Sequence, residues 1–265
     1  MKSYKNKILI QNTITYALVI AAFLLIQILM AGGHINSLLK GILVPLCTYV
    51  ILAVSLNLTV GILGELSLGH AGFMCVGAFS GAFFTHVMAA SIPNPQLRFI
   101  IALFVGAVVA AAFGILIGIP VLRLKGDYLA IVTLAFGEII KNVINVLYVG
   151  TDASGIHIST KDVASLNLAE GGKVIIKGAQ GITGTPKMAT FTIGFILVLI
   201  TLFIVLNMIN SRTGRAIMAI RDNRIAAESI GINITKYKLL AFSVSAALAG
   251  VAGVLYAHNL ATLAA

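Results

Sequence analysis

The chain has 265 residues, of which 59% are hydrophobic and only 10% are charged, and its mean hydropathy is +1.05. A water-soluble domain carries charge on roughly a quarter of its residues, so this composition excludes an ordinary soluble protein and indicates one solvated by lipid. The net charge of +10 does not indicate a nucleic-acid partner, because the basic residues lie between long apolar runs. Cys47 and Cys75 fall inside apolar runs without a CxxC or Cys/His cluster, so neither a structural disulfide nor a metal site is expected.

Seven apolar runs follow one another along the chain, each long enough for an α-helix of about 20 residues to cross the hydrocarbon core. We predict helices at residues 8–30, 41–62, 67–90, 99–120, 128–149, 189–209 and 238–258. Only helices or closed barrels satisfy the backbone in lipid, and these runs are too long for barrel strands. The predicted fold class is all-α: a polytopic membrane helix bundle with about seven transmembrane helices. Pairs of small residues four positions apart predict close packing between them: Gly77 and Gly81, Gly114 and Gly118, Ala249 and Gly253.

The basic residues predict the orientation of this bundle. If the N-terminus is cytoplasmic, most of the 18 Lys and Arg residues lie in inside segments, and the bias is clearest in the short loops. The first helix follows Lys2, Lys5 and Lys7 and is too long for a signal peptide, so we expect it to be retained. We therefore expect a multi-pass protein of the bacterial cell membrane with a cytoplasmic N-terminus.

Two connecting segments are much longer than a simple turn. Residues 150–188 form an extracytoplasmic segment rich in Gly, Ser and Thr, for which a small ordered subdomain and a solvated loop are both open. Residues 210–236 form a cytoplasmic segment that carries several arginines. We treat residues 1–265 as a single membrane domain in which these two segments are loops.

The cytoplasmic segment contains a short helix with recognisable ends. Asp222 or Asn223 can accept a hydrogen bond from a first-turn amide, and Gly231 suits the left-handed residue that ends a helix. A helix of about two turns is marginal alone, so we predict that it docks onto a partner. Its two-alanine face, Ala226 and Ala227, would fit a shallow groove on that partner. An ordinary surface helix in a loop is the open alternative.

Three separated blocks of sequence, within roughly residues 45–260, resemble a known membrane-protein family. The run from Gly214 to His258, which contains Ala226-Ala-Glu-Ser-Ile-Gly231, is similar to the branched-chain amino acid permeases of ABC importers. Two further blocks resemble the M-type subunit of that family rather than the H-type: Leu122-Arg-Leu-Lys-Gly-Asp-Tyr-Leu-Ala-Ile-Val-Thr-Leu-Ala-Phe-Gly-Glu-Ile-Ile140, and Asn57-Leu-Thr-Val-Gly61 followed by Leu66-Ser-Leu-Gly-His-Ala-Gly-Phe73.

The resemblance implies a mechanism and a set of partners. Such a permease pairs with a second permease subunit and two cytoplasmic ABC ATPase subunits, within membrane lipid. An extracytoplasmic substrate-binding protein delivers the substrate: leucine, isoleucine or valine. The coupling helix, at about Asp222–Gly231, would transmit ATPase closure to the membrane helices. The residues assigned to this coupling are Arg221, Asp222, Ala226, Ala227, Glu228 and Gly231. No phosphate-loop motif occurs in the sequence, so we expect no cofactor bound by this chain and ATP used by the partner subunits.

Polar residues inside the fifth predicted helix are candidates for the translocation path. Glu138 and Lys141 lie one turn apart near its centre, with Asn142 beside them. A charge at that depth costs on the order of 2.5–3.5 kcal/mol, so we expect the pair to face the bundle interior. A polar lining of the path and an intrahelical pair that only stabilises packing are both open interpretations.

The junction between the second and third helices supplies the other candidates for the path. Glu65, Ser67 and His70 lie at a glycine-rich interruption of the helix, which can line a transport site, although a tight turn explains it equally well. Asn57, in one of the blocks that resemble the family, is also assigned to the path.

Two other classes of function remain open. A stand-alone secondary transporter would use Glu138 and Lys141 as a proton or ion relay and would need no ATP. Ser67 and His70 suggest an intramembrane enzyme only weakly, and no hydrolase motif supports it, so we assign no catalytic residues and predict no enzyme. Within the importer hypothesis, urea, amides and other amino acids are alternative substrates. Family members usually continue past the seventh helix, so a truncation at Ala265 also stays open.

Overall fold

The computed structural model of the chain describes residues 2–33, 36–124, 126–152, 155–169 and 171–265. In this part of the chain the helices are α1 (Lys2–Ala31), α2 (Ser37–Asn57), α3 (His70–Val87), α4 (Pro95–Val121), α5 (Asp127–Val146), α6 (Phe191–Asn210), α7 (Arg212–Asp222), α8 (Arg224–Ser229) and α9 (Ile234–Ala257). The strands are β1 (Tyr148–Asp152), β2 (Gly155–Ser159), β3 (Lys173–Lys177), β4 (Ile182–Thr183) and β5 (Thr262–Leu263). A π-helical turn, Leu58–Ile62, continues α2.

Among the described residues, six helices are long and apolar enough to cross a membrane: α1, α2 with its π-helical turn, α4, α5, α6 and α9. The third predicted span corresponds to α3, an 18-residue helix that begins at His70 rather than at residue 67. It is shorter than predicted because residues 63–69 leave the helical conformation before it. The predicted all-α bundle of about seven apolar helices is therefore confirmed.

Helix α9 lies at the centre of the bundle, where it packs against α2, α3 and α4. In its most apolar stretch 61% of the residues are buried, compared with 0% in α1. A Cβ on Gly77 of α3 would lie 2.3 Å from the Cα of Gly250 in α9, and a Cβ on Gly253 would lie 2.0 Å from the Met74 carbonyl oxygen. No side chain tolerates such distances, so glycine is required where α3 crosses α9, as the small-residue pairs predict.

We expect Gly77→Val to destabilise the bundle, because the added side chain collides with the backbone of α9. Overpacking of a core usually costs about 1–3 kcal/mol. The purified variant in detergent should therefore unfold at a lower temperature than the wild type in a thermal scan. Gly41→Val is the matched control, since a Cβ at Gly41 meets nothing within 4 Å. An equal loss in both variants would contradict the packing described here.

Residues 150–188 contain ordered strands rather than an open loop. Strands β1 to β5 form one antiparallel sheet in the order β2-β1-β3-β4-β5. Because β1 begins at Tyr148, α5 ends earlier than predicted, at Val146. Strand β5 follows α9 in the chain, and its Leu263 pairs with Ile182 of β4. The sheet therefore connects the ends of α5 and α9.

The two ends of the bundle differ in structure. At one end, α7 contacts the π-helical turn, and both α7 and α8 contact α9; the sheet lies at the other end. The distribution of basic residues predicts that the α7–α8 end is cytoplasmic and that the sheet is extracytoplasmic.

Candidate functional site

The predicted coupling helix is present as α8, and it is preceded by a second short helix, α7. Ser211 begins α7, where its Oγ accepts a 3.1 Å hydrogen bond from the Gly214 amide. Asn223 ends α7 and begins α8, where its Oδ1 accepts a 3.0 Å hydrogen bond from the Ala226 amide. Gly231, just after α8, has a φ of 85° and so occupies the left-handed region. Of the two caps considered from the sequence, Asn223 is the one used.

The prediction of a two-alanine docking face on α8 is wrong. Ala227 is 2% exposed and packs against Ile220 of α7 and Ile234 of α9, whereas Ala226 is exposed. Consecutive residues of an α-helix are rotated by about 100° from each other, so two adjacent alanines do not share one face. Ala227 therefore attaches α8 to its own chain, and only Ala226 is available to a partner.

Apolar side chains are exposed at both ends of α8. Ile225 is 81% exposed, and Ile230, just beyond the helix, is 75% exposed. Glu228 and Gly231 are exposed beside them. Exposed apolar side chains on a short helical segment are typical of a segment that docks onto another protein.

Arg221 and Asp222 at the end of α7 have different surroundings. Arg221 Nη1 donates a 3.0 Å hydrogen bond to the carbonyl oxygen of Gly61, in the π-helical turn. Its Nη2 lies 2.9 Å from Asp222 Oδ1, and Asp222 is exposed. Arg221 therefore contacts the membrane helices directly, whereas Asp222 holds the guanidinium from the solvent side.

The path candidates between α2 and α3 lie in different environments. Asn57 is exposed at the end of α2, and the absence of a side chain on Gly61 leaves room for it. Glu65 forms an ion pair with Lys238 near the start of α9, and both side chains are mostly buried. Ser67 is buried, and its hydroxyl has no hydrogen-bond partner among the described residues. Glu65 is thus part of an internal contact rather than an open lining.

His70 belongs to a buried polar network that the sequence does not reveal. Its Nε2 lies 2.8 Å from Ser55 Oγ of α2. Thr59 Oγ1 donates a 2.9 Å hydrogen bond to Ser245 Oγ of α9, which in turn donates a 2.6 Å bond to the Ser55 carbonyl oxygen. All four side chains are buried. The network therefore connects α2, α3 and α9 directly behind the helix break.

Glu138, Lys141 and Asn142 lie on the outer surface of α5, so the prediction that they face the bundle interior is wrong for this chain. Glu138 Oε2 and Lys141 Nζ are 3.7 Å apart, and their side chains are 60% and 50% exposed. Asn142 is also exposed, and its Nδ2 donates a 2.8 Å hydrogen bond to the Glu138 carbonyl oxygen. Glu138 and Lys141 pair as expected, but they do so on the exposed face of α5.

The packing of α5 against α3 explains this orientation. A Cβ on Gly69 would lie 2.1 Å from the Thr133 carbonyl oxygen, and a Cβ on Gly72 would lie 3.0 Å from the Cα of Gly137. This close approach turns Thr133 and Gly137 toward α3 and the charged face outward. A groove of 200 Å³ runs between the start of α3 and the charged pair. The groove therefore joins the charged face of α5 to the helix break.

A family model described as "Branched-chain amino acid transport system / permease component" matches residues 38–264. The chain belongs to this family. The matched region contains α8, the helix break and the charged face of α5, so every candidate site residue lies within it.

Curated relatives carry the same description. The high-affinity branched-chain amino acid transport system permease protein LivM of Salmonella typhimurium is 37% identical over 79% of this chain and 50% of its own length. The LivM protein of Escherichia coli gives the same values. A probable branched-chain amino acid transport permease protein LivM of Methanocaldococcus jannaschii is 25% identical over 78% of this chain and 64% of its own length. The chain spans about half the length of the first two relatives, and no solved structure matches it.

The resemblance to M-type branched-chain amino acid permeases is therefore confirmed. Together with the six apolar spans, family membership identifies a multi-pass protein of the bacterial inner membrane. It also places the chain among membrane transport permeases rather than in a family of enzymes.

Proposed function

We propose that this chain is the membrane-spanning permease subunit of an ABC importer that translocates leucine, isoleucine and valine. The observation that carries the proposal is the family match over residues 38–264, which includes both the helix bundle and the coupling segment. The relatives named above are branched-chain amino acid permeases, which supports this substrate class. ATP is bound and hydrolysed by separate subunits, and no cofactor is bound by this chain.

Two ABC ATPase subunits dock at the α7–α8 end of the permease pair. The exposed Ile225 and Ile230 support this, because they give the coupling segment apolar surface that suits contact with a partner. Ala226, Glu228 and Gly231 lie exposed around this surface, whereas Ala227 anchors the helix from behind.

Ile225→Asp should weaken the association between the permease and its ATPase. Truncation of a central apolar interface residue costs about 2 kcal/mol or more, and a charge in its place adds a desolvation cost. We expect less ATPase to co-purify with the tagged variant, as measured by quantitative mass spectrometry. Thr235→Asp is the control, since Thr235 is exposed in the first turn of α9 but lies outside α8. Equal recovery of ATPase with Ile225→Asp and wild type would contradict the proposed docking face.

A second permease subunit covers the charged face of α5, and the path runs between the two permeases. The half-exposed Glu138 and Lys141 support this, because charges within a membrane span are costly unless protein or water surrounds them. An amino acid has one ammonium group, one carboxylate and an apolar side chain. The groove offers a matching set in Glu138, Lys141 and the apolar Leu68 and Leu134.

This arrangement also includes the other candidate path residues and the extracytoplasmic substrate-binding protein. Ser67 and His70 lie in the break beside the groove, and Asn57 lies at the end of α2. An extracytoplasmic substrate-binding protein delivers the amino acid at the sheet end, and lipid surrounds the apolar outer faces.

The alternative function is a stand-alone secondary transporter that uses Glu138 and Lys141 as a relay. The exposure of this pair in a membrane span is the observation that favours it. Such a protein would transport without ATP or partner subunits, and an ion or proton gradient would drive it.

The deciding experiment is purification of the tagged chain from native membranes, followed by reconstitution into proteoliposomes. We expect two ATPase subunits and a second permease to co-purify, and uptake of labelled leucine to require ATP and the binding protein. Uptake by the chain alone under a proton gradient would overturn the importer proposal in favour of the alternative. Competition by urea or amides, rather than by isoleucine and valine, would reassign the substrate.

A further inference from the structure

The two helices that flank the coupling helix both contact the break between α2 and α3. Helix α7 ends at Asp222, immediately before α8, and α9 begins at Ile234, shortly after it. Each of these flanking helices places one long basic side chain against the break: Arg221 from α7 and Lys238 from α9. The coupling helix α8 is therefore bracketed by two contacts to residues 58–69.

The first contact is made by Arg221 with the π-helical turn and Gly64. Arg221 Nη1 donates to the Gly61 carbonyl oxygen at 3.0 Å. Its Cγ lies 2.5 Å from the position that a Cβ on Gly64 would take, and Gly64 has a φ of +77°. A side chain at Gly64 would therefore strain the backbone and also displace Arg221. Arg221 is therefore closely packed against Gly64 as well as hydrogen-bonded to Gly61.

The second contact is the ion pair between Lys238 and Glu65. The two side chains are only 8% and 15% exposed, although one belongs to α9 and the other to the break. Separating an ion pair that is so deeply buried is costly, because loss of one partner leaves the other charge without compensation. A depression of 370 Å³ is lined by residues of both contacts, Gly64 and Arg221 on the one hand and Glu65 and Lys238 on the other.

The far side of the break is connected to the proposed path. The Leu68 amide donates a 3.1 Å hydrogen bond to Thr133 Oγ1 of α5, and His70 lies 2.8 Å from Ser55 Oγ. The same α5 carries the charged face along the groove. A displacement of residues 63–69 would therefore change both the buried network and the groove.

We propose that Arg221 and Lys238 are positioning residues that transmit movement of the coupling helix to the helix break, and through it to the groove beside α5. This inference rests on the proposed importer function and assigns how the ATPase signal reaches the path. Glu65 takes part in this transmission as the ion-pair partner of Lys238. Arg221 acts through Gly61 rather than through contact with the ATPase.

The test compares single substitutions with a charge exchange in the reconstituted complex. Lys238→Glu and Glu65→Lys should each lower leucine uptake per ATP hydrolysed by roughly tenfold, a magnitude typical of coupling between sites, while ATP hydrolysis continues. The double variant Glu65→Lys/Lys238→Glu should restore uptake, because it re-forms the pair. Arg221→Met should also uncouple the complex, whereas Arg212→Met, at the exposed first position of α7, should behave as wild type.

Coupled uptake that is unchanged in Lys238→Glu and Arg221→Met would overturn this inference while leaving the importer function intact. Absence of ATP-driven uptake by the wild-type complex would instead overturn the proposed function. A measurement on the wild-type complex does not depend on whether the variants fold. On ATP binding, hydrogen exchange should change together in residues 63–69 and residues 223–231, and a change confined to residues 223–231 would also overturn the inference.

Discussion

Ala227→Asp should abolish ATP-driven uptake while the protein still inserts into the membrane. The side chain at this position is 2% exposed and packs between α7 and α9, so a carboxylate there has no compensating partner. An uncompensated buried charge costs about 3 kcal/mol or more. The six-residue helix α8 is marginal without its packing, so it should detach locally before the bundle unfolds. At about 1.4 kcal/mol per tenfold, uptake should fall by roughly a hundredfold.

Ala226→Asp is the matched control for the docking of α8 onto its own chain, and it is compared by proteolysis alone because Ala226 borders the surface proposed for the ATPase. Ala226 precedes Ala227 on the same helix but faces solvent, so its substitution should leave α8 docked on its own chain. Limited proteolysis of residues 223–231 reports docking, and leucine uptake in proteoliposomes reports function. Full uptake by Ala227→Asp, or equal protease sensitivity of the two variants, would show that internal anchoring of α8 does not matter for coupling.

The double variant Glu138→Leu/Lys141→Leu should lose most of its uptake activity yet insert into the membrane at least as well as the wild type. Each charge costs on the order of 2.5–3.5 kcal/mol at the centre of a span on insertion scales, so its removal favours the inserted state. If the pair lines the path between two permeases, its loss removes the polar surface that an amino acid needs. Uptake should therefore fall by at least about tenfold, a change of about 1.4 kcal/mol in the transition-state barrier.

This prediction is specific because membrane insertion should be unchanged or improved while uptake falls. Membrane fractionation and thermal stability in detergent measure the first effect, and ATP-driven leucine uptake measures the second. Ile139→Leu, an exchange at an exposed apolar position of the same helix, should change neither. Wild-type uptake by the double variant would show that the charged pair serves packing alone.

The two ends of α8 could be predicted, apart from the choice between Asp222 and Asn223 as its N-terminal cap, because their signals are local. Asn223 caps α8 through an amide three residues away, and Gly231 adopts the left-handed conformation that glycine tolerates best. The burial of Ala227 could not be predicted in the same way. It depends on how α7, α8 and α9 fold against one another, since Ala227 packs between Ile220 of α7 and Ile234 of α9.

The ion-pair partner of Lys238 could not be predicted from the sequence. In the sequence Lys238 counts only as one of the basic residues of the predicted cytoplasmic side, whereas in the structure it pairs with Glu65, far away along the chain. Ser55, Thr59 and Ser245 are hidden for a similar reason, since isolated hydroxyls in apolar runs usually bond to their own helix. Only the crossing of α2 and α9 shows that these three form a network with His70.

The amino-acid sequence by itself determined the class of protein, the approximate positions of the apolar helices, the end of α8 at Gly231 and the family. These properties depend on composition, run length and short-range hydrogen bonds, all of which lipid solvation and backbone chemistry constrain directly. The tertiary structure decided which face of α5 is open, which alanine of α8 is buried, and which charges meet at the helix break. Those outcomes depend on how each helix is rotated about its axis, and the packing of distant glycines such as Gly72 against Gly137 sets that rotation.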